Sequence, residues 1–202
     1  MKVIVLSAGR GTRMRPLTYY INKGLVPIGK RPLLEHILLK LKDQGFNDFV
    51  IAISHLHQQV EHYFGDGSQF GVRIAYSISA QPLGTAGELV HMREMLNGEE
   101  SFLVHYGDIL TNLDLPAMVR AHRADPCRIA TIGLVTNVPI HTGIATFAPG
   151  EARLTHFEEK PPLQEPCHAA VNIFRPQALR FMRLEEDIAY HAIPRMLAAG
   201  ER

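Results

Sequence analysis

The chain lacks what would make a metal cluster, a disulfide scaffold or a membrane span. Only two of its 202 residues are cysteine, Cys127 and Cys167, far apart and without metal-ligand spacing. They read as free thiols in a reducing compartment. No apolar run approaches the roughly 20 residues that cross a bilayer. The N-terminus enters a strand directly, with no signal-peptide pattern. The expectation is a cytoplasmic protein with no membrane partner. Charge of one sign is lacking too: 21 basic residues face 20 acidic ones, a net +1. Nucleic acid is therefore not the default partner. The eleven histidines show no ligand pattern, and no internal repeat or low-complexity segment occurs. What is present is 46% hydrophobic residues, enough for one ordinary buried core.

Apolar periodicity orders that material. Short aliphatic or alternating runs at 3–6, 49–53, 72–77, 102–105 and 128–135 read as strands. Helical spacing recurs at 33–44, 58–64, 86–96 and 115–124, with Gly45, Gly65 and Gly98 as stops. Such alternation predicts an α/β fold with a mostly parallel central sheet flanked by helices. After residue 140 the pattern changes to strand-like runs at 143–147, 154–157 and 169–174, a smaller β-rich part, followed by closing helices at 176–183 and 188–199.

The densest chemistry follows the first strand, in Ser7-Ala8-Gly9-Arg10-Gly11-Thr12-Arg13-Met14-Arg15. Glycines let backbone amides close around an anion, and arginine forks suit phosphate. Met14 stands where a dinucleotide fingerprint needs its third glycine, and no Gly-Lys-Ser/Thr follows for a P-loop. The loop reads as a polyphosphate grip at a strand's carboxyl end, where ligands of open α/β sheets sit. Asp108, after the strand 102–105 and Gly107, lies at a second such end. Its carboxylate suits Mg²⁺.

The stretches Gly9–Thr18, Lys23-Gly24-Leu25-Val26-Pro27 and Arg31-Pro32-Leu33-Leu34-Glu35, then Pro82-Leu83-Gly84-Thr85-Ala86-Gly87, Gly107-Asp108 and Glu158-Glu159-Lys160-Pro161, resemble the sugar-1-phosphate nucleotidyltransferases. That family includes mannose-1-phosphate guanylyltransferases and glucose-1-phosphate thymidylyl- and uridylyltransferases. The motifs occur in the family's order and cover nearly the whole chain. The resemblance implies one Rossmann-like nucleotidyltransferase domain over 1–202, with the β-rich part binding sugar. The implied substrates are a nucleoside triphosphate, GTP by the wording of the 82–87 motif, and a hexose-1-phosphate. A homo-oligomer is compatible with it.

The resemblance also distributes roles. Arg13 offsets charge on the departing pyrophosphate, and Lys23 contacts phosphate. Leu6, Ala8, Gly9, Gly11, Thr12 and Arg13, with Gln81, Pro82, Gly84 and Thr85, hold the nucleotide; small residues at 84–87 let a flat base lie against backbone. Asp108 holds Mg²⁺. Gly143, Glu159, Lys160 and Asn172 hold the sugar phosphate. Two departures stand out. Asn22 and Gly24 replace the prolines that usually flank the lysine, so this segment is expected to be looser. His168 and Ala170 replace the usual asparagine and glycine of an Asn-Ala-Gly stretch. The family also continues past a helix like 188–199 to a second metal aspartate. The chain ends at Arg202, short of it. Either the chain is truncated relative to the family, or metal binding relies on Asp108, phosphates and water, or activity is lost. A nucleotide- or sugar-nucleotide-binding module with little turnover is the rival reading, and a dinucleotide oxidoreductase a weaker one.

Overall fold

The computed structural model describes residues 1–201. Val3, Ile4 and Val5 are β-branched and favour extended backbone. They form β1 (Val3–Leu6), which pairs on both edges and is buried on both faces. A chain of short 3₁₀ turns follows, at Thr12–Met14, Leu17–Tyr19 and Lys23–Leu25. The short strands β2 (Pro27–Ile28) and β3 (Arg31–Pro32) pair antiparallel and lead into α1 (Leu33–Asp43). Helical spacing brings Leu34, Ile37, Leu38 and Leu41 onto one buried face of α1. Gly45, at φ +93°, supplies the left-handed residue that ends the helix.

The alternation continues through β4 (Asp48–Ile53), α2 (His57–Phe64), β5 (Arg73–Ile78), α3 (Gly84–His91), β6 (Phe102–Tyr106), α4 (Leu115–Arg123) and β7 (Ala130–Val135). Asp114 caps α4 by accepting from the Ala117 amide at 2.8 Å. Next come β8 (Val138–Pro139), β9 (Ile144–Phe147), β10 (Leu154–Glu158), β11 (Pro162–Leu163), β12 (Cys167–Phe174) and, near the end, α5 (Ile193–Ala198).

The main sheet has six strands in the order β5-β4-β1-β6-β12-β7. The pairs β5–β4, β4–β1 and β1–β6 are parallel, and β12 runs antiparallel to β6. This is the mostly parallel α/β fold that the alternation predicts. The chain moves outward from β1 to β4 and β5, then returns to the other side of β1. A crevice opens at such a reversal, beyond the carboxyl ends of the strands.

Contacts divide the chain into two compact units. The first comprises Met1–Thr131 and the chain from Ala170 onward. Its core joins Val3, Val5, Phe49, Ile51, Ile53 and Leu103 of the sheet to the buried faces of α1 and α2. The second, Ile132–Ala169, is built on the antiparallel pairs β9–β10 and β8–β11.

Several expected elements differ in detail. The helix expected at 86–96 begins at Gly84 and gives way to a 3₁₀ turn at Arg93–Leu96. The segment 176–183 is a 3₁₀ helix over Pro176–Phe181. The helix expected at 188–199 opens as a π turn, Ile188–Ala192, before α5. Pro194 cannot donate a helical hydrogen bond, and the winding changes just ahead of it. Cys127 and Cys167 are both free thiols. Among the described residues no helix is long and apolar enough to cross a membrane.

Candidate functional site

The glycine loop after β1 is fixed by packing. Gly11 sits at φ +60°, where a Cβ would come within 2.9 Å of Thr18 Cγ2 and 3.2 Å of Lys23 Cβ. The Thr18 hydroxyl, itself buried, donates to the Gly11 carbonyl at 2.8 Å. Gly11 therefore serves both a left-handed turn and a close approach.

The lysine segment is pinned, contrary to the looseness expected of it. Asn22 is fully buried, and its amide nitrogen Nδ2 donates to the His55 carbonyl at 2.7 Å. Its Oδ1 accepts from the Gly24 amide at 2.8 Å, and its backbone N–H donates to Gln59 Oε1 at 2.8 Å. Gly24 is packed under Ser7, Asn22 and Leu34. The asparagine replaces proline's stiffness with three hydrogen bonds. They hold Lys23 so that its Nζ meets Asp108 Oδ2 at 2.5 Å.

A cavity of about 630 Å³ opens here, lined by the loop Gly9–Met14 together with Lys23, Leu33 and Asp108. Gly11, Thr12, Arg13, Lys23 and Asp108 thus share one space, at the carboxyl ends of β1 and β6. Arg10, Arg13 and Arg15 make no ion pair among the described residues; the pairs found engage other arginines. The wall carries unspent positive charge and one carboxylate.

Gly9 also lines a second cavity, of about 210 Å³, with Leu6, Ala8, Pro82, Gly84, Thr85, Glu88 and Asp187. Gln81 is exposed beside Pro82 and does not line it. The small residues at 84–87 have a reason within the protein. A Cβ on Gly84 would lie 2.3 Å from the Glu186 carbonyl oxygen, and one on Gly87 would lie 2.8 Å from the Glu185 nitrogen. The Glu186 carbonyl accepts from the amides of Ala86 and Gly87 at 2.9 and 3.2 Å. Asp187 Oδ1 accepts from both the amide and the hydroxyl of Thr85 at 3.1 Å. The Thr85 hydroxyl in turn accepts from the Ile188 amide at 2.8 Å. The segment 184–188 therefore straps the N-terminus of α3, and an Arg195–Glu186 ion pair anchors the strap.

Glu88, only 2% exposed, completes this wall. Its Oε1 accepts from the Ser79 hydroxyl at 3.0 Å and the Leu83 amide at 3.1 Å, while Oε2 has no partner. Burial pushes its pKa up, and the two hydrogen bonds only partly oppose that. Burial likewise raises the Tyr106 phenol and lowers the His105 imidazole, both at the end of β6.

Sequence reasoning missed Glu88, Asp187 and Tyr106. Glu88 does leave a trace, a carboxylate between Gly87 and Leu89 on an apolar helix. Asp187 precedes an apolar helical run, as a cap would.

The sugar-side residues lie apart in the sequence. Gly143, Glu159 and Lys160 belong to the second unit, where a Cβ on Gly143 would strike the Phe157 ring at 2.4 Å and sit 3.0 Å from Glu159 Oε2. Asn172 is fully buried on β12, in the first unit.

A metal has a narrow basis. Among the described residues no group of three or more His, Cys, Asp or Glu side chains could hold one. A single carboxylate facing a phosphate-type cavity still fits Mg²⁺, which keeps several waters and binds through one or two carboxylates plus substrate phosphates.

Comparison with known proteins places the chain and its fold in a class. The sequence matches the family described as Nucleotidyl transferase over residues 2–202, and the chain belongs to that family. Particular relatives divide by base. The UTP--glucose-1-phosphate uridylyltransferase of Synechocystis sp. is 33% identical over 99% of this chain and 56% of its own length. The N-acetylmuramate alpha-1-phosphate uridylyltransferase of Neisseria meningitidis is 43% identical over 69% of this chain and 61% of its own. The mannose-1-phosphate guanylyltransferase catalytic subunit beta of Danio rerio is 32% identical over 100% of this chain and 57% of its own. The chain thus spans less than two thirds of these relatives. Among solved structures, HddC from Yersinia pseudotuberculosis shares the fold, with a TM-score of 0.71 at 19% identity, over 92% of this chain and 81% of that one.

Proposed function

We propose that the protein transfers a nucleoside monophosphate from a nucleoside triphosphate to a sugar-1-phosphate, forming a nucleoside-diphosphate sugar and pyrophosphate. The sugar-phosphate oxygen attacks the α-phosphorus, and the bond to the departing pyrophosphate breaks. The nucleophile is already an anion, so no general base is required. The protein's task is to hold two anions together and offset charge on the leaving group. In this reading Arg13 faces the departing pyrophosphate, Lys23 binds phosphate and the Gly9–Thr12 backbone cradles it. Asp108 would hold Mg²⁺ with phosphate oxygens and water. Bound there, the metal supplies charge neutralisation between the phosphates. Leu6, Ala8, Pro82, Gly84 and Thr85 contact the nucleotide, with Gln81 at the rim; Gly143, Glu159, Lys160 and Asn172 serve the sugar phosphate.

The observation that carries the reading is the 630 Å³ cavity, in which the glycine loop, Arg13, Lys23 and Asp108 converge beyond parallel strands. The preferred pair is GTP with a hexose-1-phosphate. The 82–87 motif and the guanylyltransferase relative support it. UTP is the rival, favoured by the two uridylyltransferase relatives.

The test crosses four triphosphates with several sugar-1-phosphates and reads pyrophosphate release with and without Mg²⁺. GTP with a hexose-1-phosphate should give the highest rate. Arg13→Ala should lower that rate roughly 10²–10³-fold, as removal of a charge-stabilising donor does. Binding without turnover for every pair would leave a nucleotide-binding module instead. Full activity in a folded Arg13→Ala protein would remove Arg13 from the mechanism.

A further inference from the structure

The glycine loop lines a third cavity. About 270 Å³ in volume, it is lined by Arg10, Arg15, Thr18, Tyr19, Ser54, His55 and Ala80. It lies beyond the carboxyl ends of β4, which runs into Ser54, and β5, which runs into Ala80. That is the same edge of the sheet as the other two cavities. Its wall holds two guanidinium groups and no carboxylate. The Arg15 guanidinium stacks 5.0 Å from the centre of the Tyr19 ring, a contact that limits where it can swing. His55 Nε2 donates to the Thr18 carbonyl at 3.0 Å, which fixes the ring in the wall. Ser54 is 7% exposed, and its hydroxyl finds no protein partner among the described residues. Two free cationic forks and a spare hydroxyl are the donor set of a phosphate site.

We propose that this cavity is a second phosphate site, which takes a pyrophosphate-type anion between Arg10 and Arg15. Arg10 lines both this cavity and the one holding Arg13 and Lys23, so the two anion positions share a residue. Two phosphoryl groups match two guanidinium forks better than one does. The anion is free pyrophosphate, distinct from the triphosphate whose departing pyrophosphate the proposed function sets against Arg13. The site does not depend on turnover.

The test is calorimetric titration of the whole chain with inorganic pyrophosphate. Wild-type protein should show two classes of site. Arg15→Ala should weaken one class about ten- to hundredfold, as loss of a charged hydrogen-bonding partner does, and leave the other. Arg13→Ala should do the converse. Arg15→Lys, which keeps the charge and loses the fork, should fall between wild type and Arg15→Ala. Arg15 is exposed, and thermal unfolding should be unchanged in all three variants. A repeat on protein saturated with a triphosphate blocked at the α–β bridge tests that independence. Continued pyrophosphate binding at the Arg15 class identifies a free-anion site. Its exclusion overturns the proposal, because the two anions then compete for one position. One class of site, abolished by Arg13→Ala and untouched by Arg15→Ala, overturns the proposal; so does the absence of pyrophosphate binding in wild-type protein.

Discussion

Lys23 and Asp108 show how one pair holds two roles in reserve. Their side chains are 25% and 38% exposed, and at 2.5 Å each neutralises the other. Water screens such a pair, so it contributes at most about 1 kcal/mol to folding. In the proposed reaction both partners change hands, the lysine to phosphate and the aspartate to Mg²⁺. Asp108→Asn keeps the shape and removes the charge. It should leave stability within about 1 kcal/mol of wild type. It should depress turnover more than triphosphate affinity, because the metal acts mainly on charge in the transition state. A Mg²⁺ titration of turnover in the variant decides the matter: a midpoint that does not move would make Asp108 a cap for the loop after β6. The residues that converge on the 630 Å³ cavity were legible in the sequence, because residue type and order mark them out. Asn22 was not. The neighbouring Gly24 signals flexibility on paper, and the burial of Asn22 with three hydrogen bonds produces the opposite.

The elements follow the same division. Strands β1, β4 and β6 and helix α1 lie within a residue or two of their expected ends, because a buried strand or an amphipathic face imposes its own periodicity. Helix α3 was placed late and ended late, because its N-terminus is defined by a segment about 100 residues away. Thr85 and its partner Asp187 are 102 positions apart. Local pattern cannot report that contact, and the glycines it demands resemble any loop-to-helix turn. The strap predicts a clean result at Gly87, whose backbone is ordinary helix, so only space is at issue. Gly87→Ala puts a methyl group 2.8 Å from the Glu185 nitrogen and 3.2 Å from Leu184 Cα, both backbone atoms that cannot swing aside. It should cost roughly 1–3 kcal/mol, the range for forced overpacking, despite alanine's better helix propensity. Urea denaturation measures it; a variant as stable as wild type would mean that 184–188 is free to lift from α3.

For the molecule as a whole, the parallel sheet and the crevice at its reversal were legible, since alternation of element types leaves few topologies. The pH dependence of its stability was not, because eleven histidines look alike in a sequence and differ only in burial. His122 is fully buried, between the Ser101 hydroxyl at 3.2 Å and the Thr131 hydroxyl at 2.8 Å. A neutral ring has one donor and one acceptor nitrogen, and two hydroxyls satisfy both. Burial, with the nearby Arg175, Arg128 and Arg123, lowers its pKa from 6.5 to about 4. Below pH 6.5 the unfolded chain takes a proton at this position that the folded chain refuses until about pH 4. Stability from the neutral ring is therefore complete above 6.5 and is lost progressively as pH falls through that window. The gap between the two values amounts to about 3 kcal/mol at its lower end. His122→Gln removes the titration, whatever it costs at pH 7.5. Wild-type protein should lose about 3 kcal/mol relative to this variant between pH 7.5 and 4, measured by urea unfolding at each pH. His105, also buried, is present in both proteins and cancels in the difference. Two profiles that stay parallel would assign the acid sensitivity to some other group.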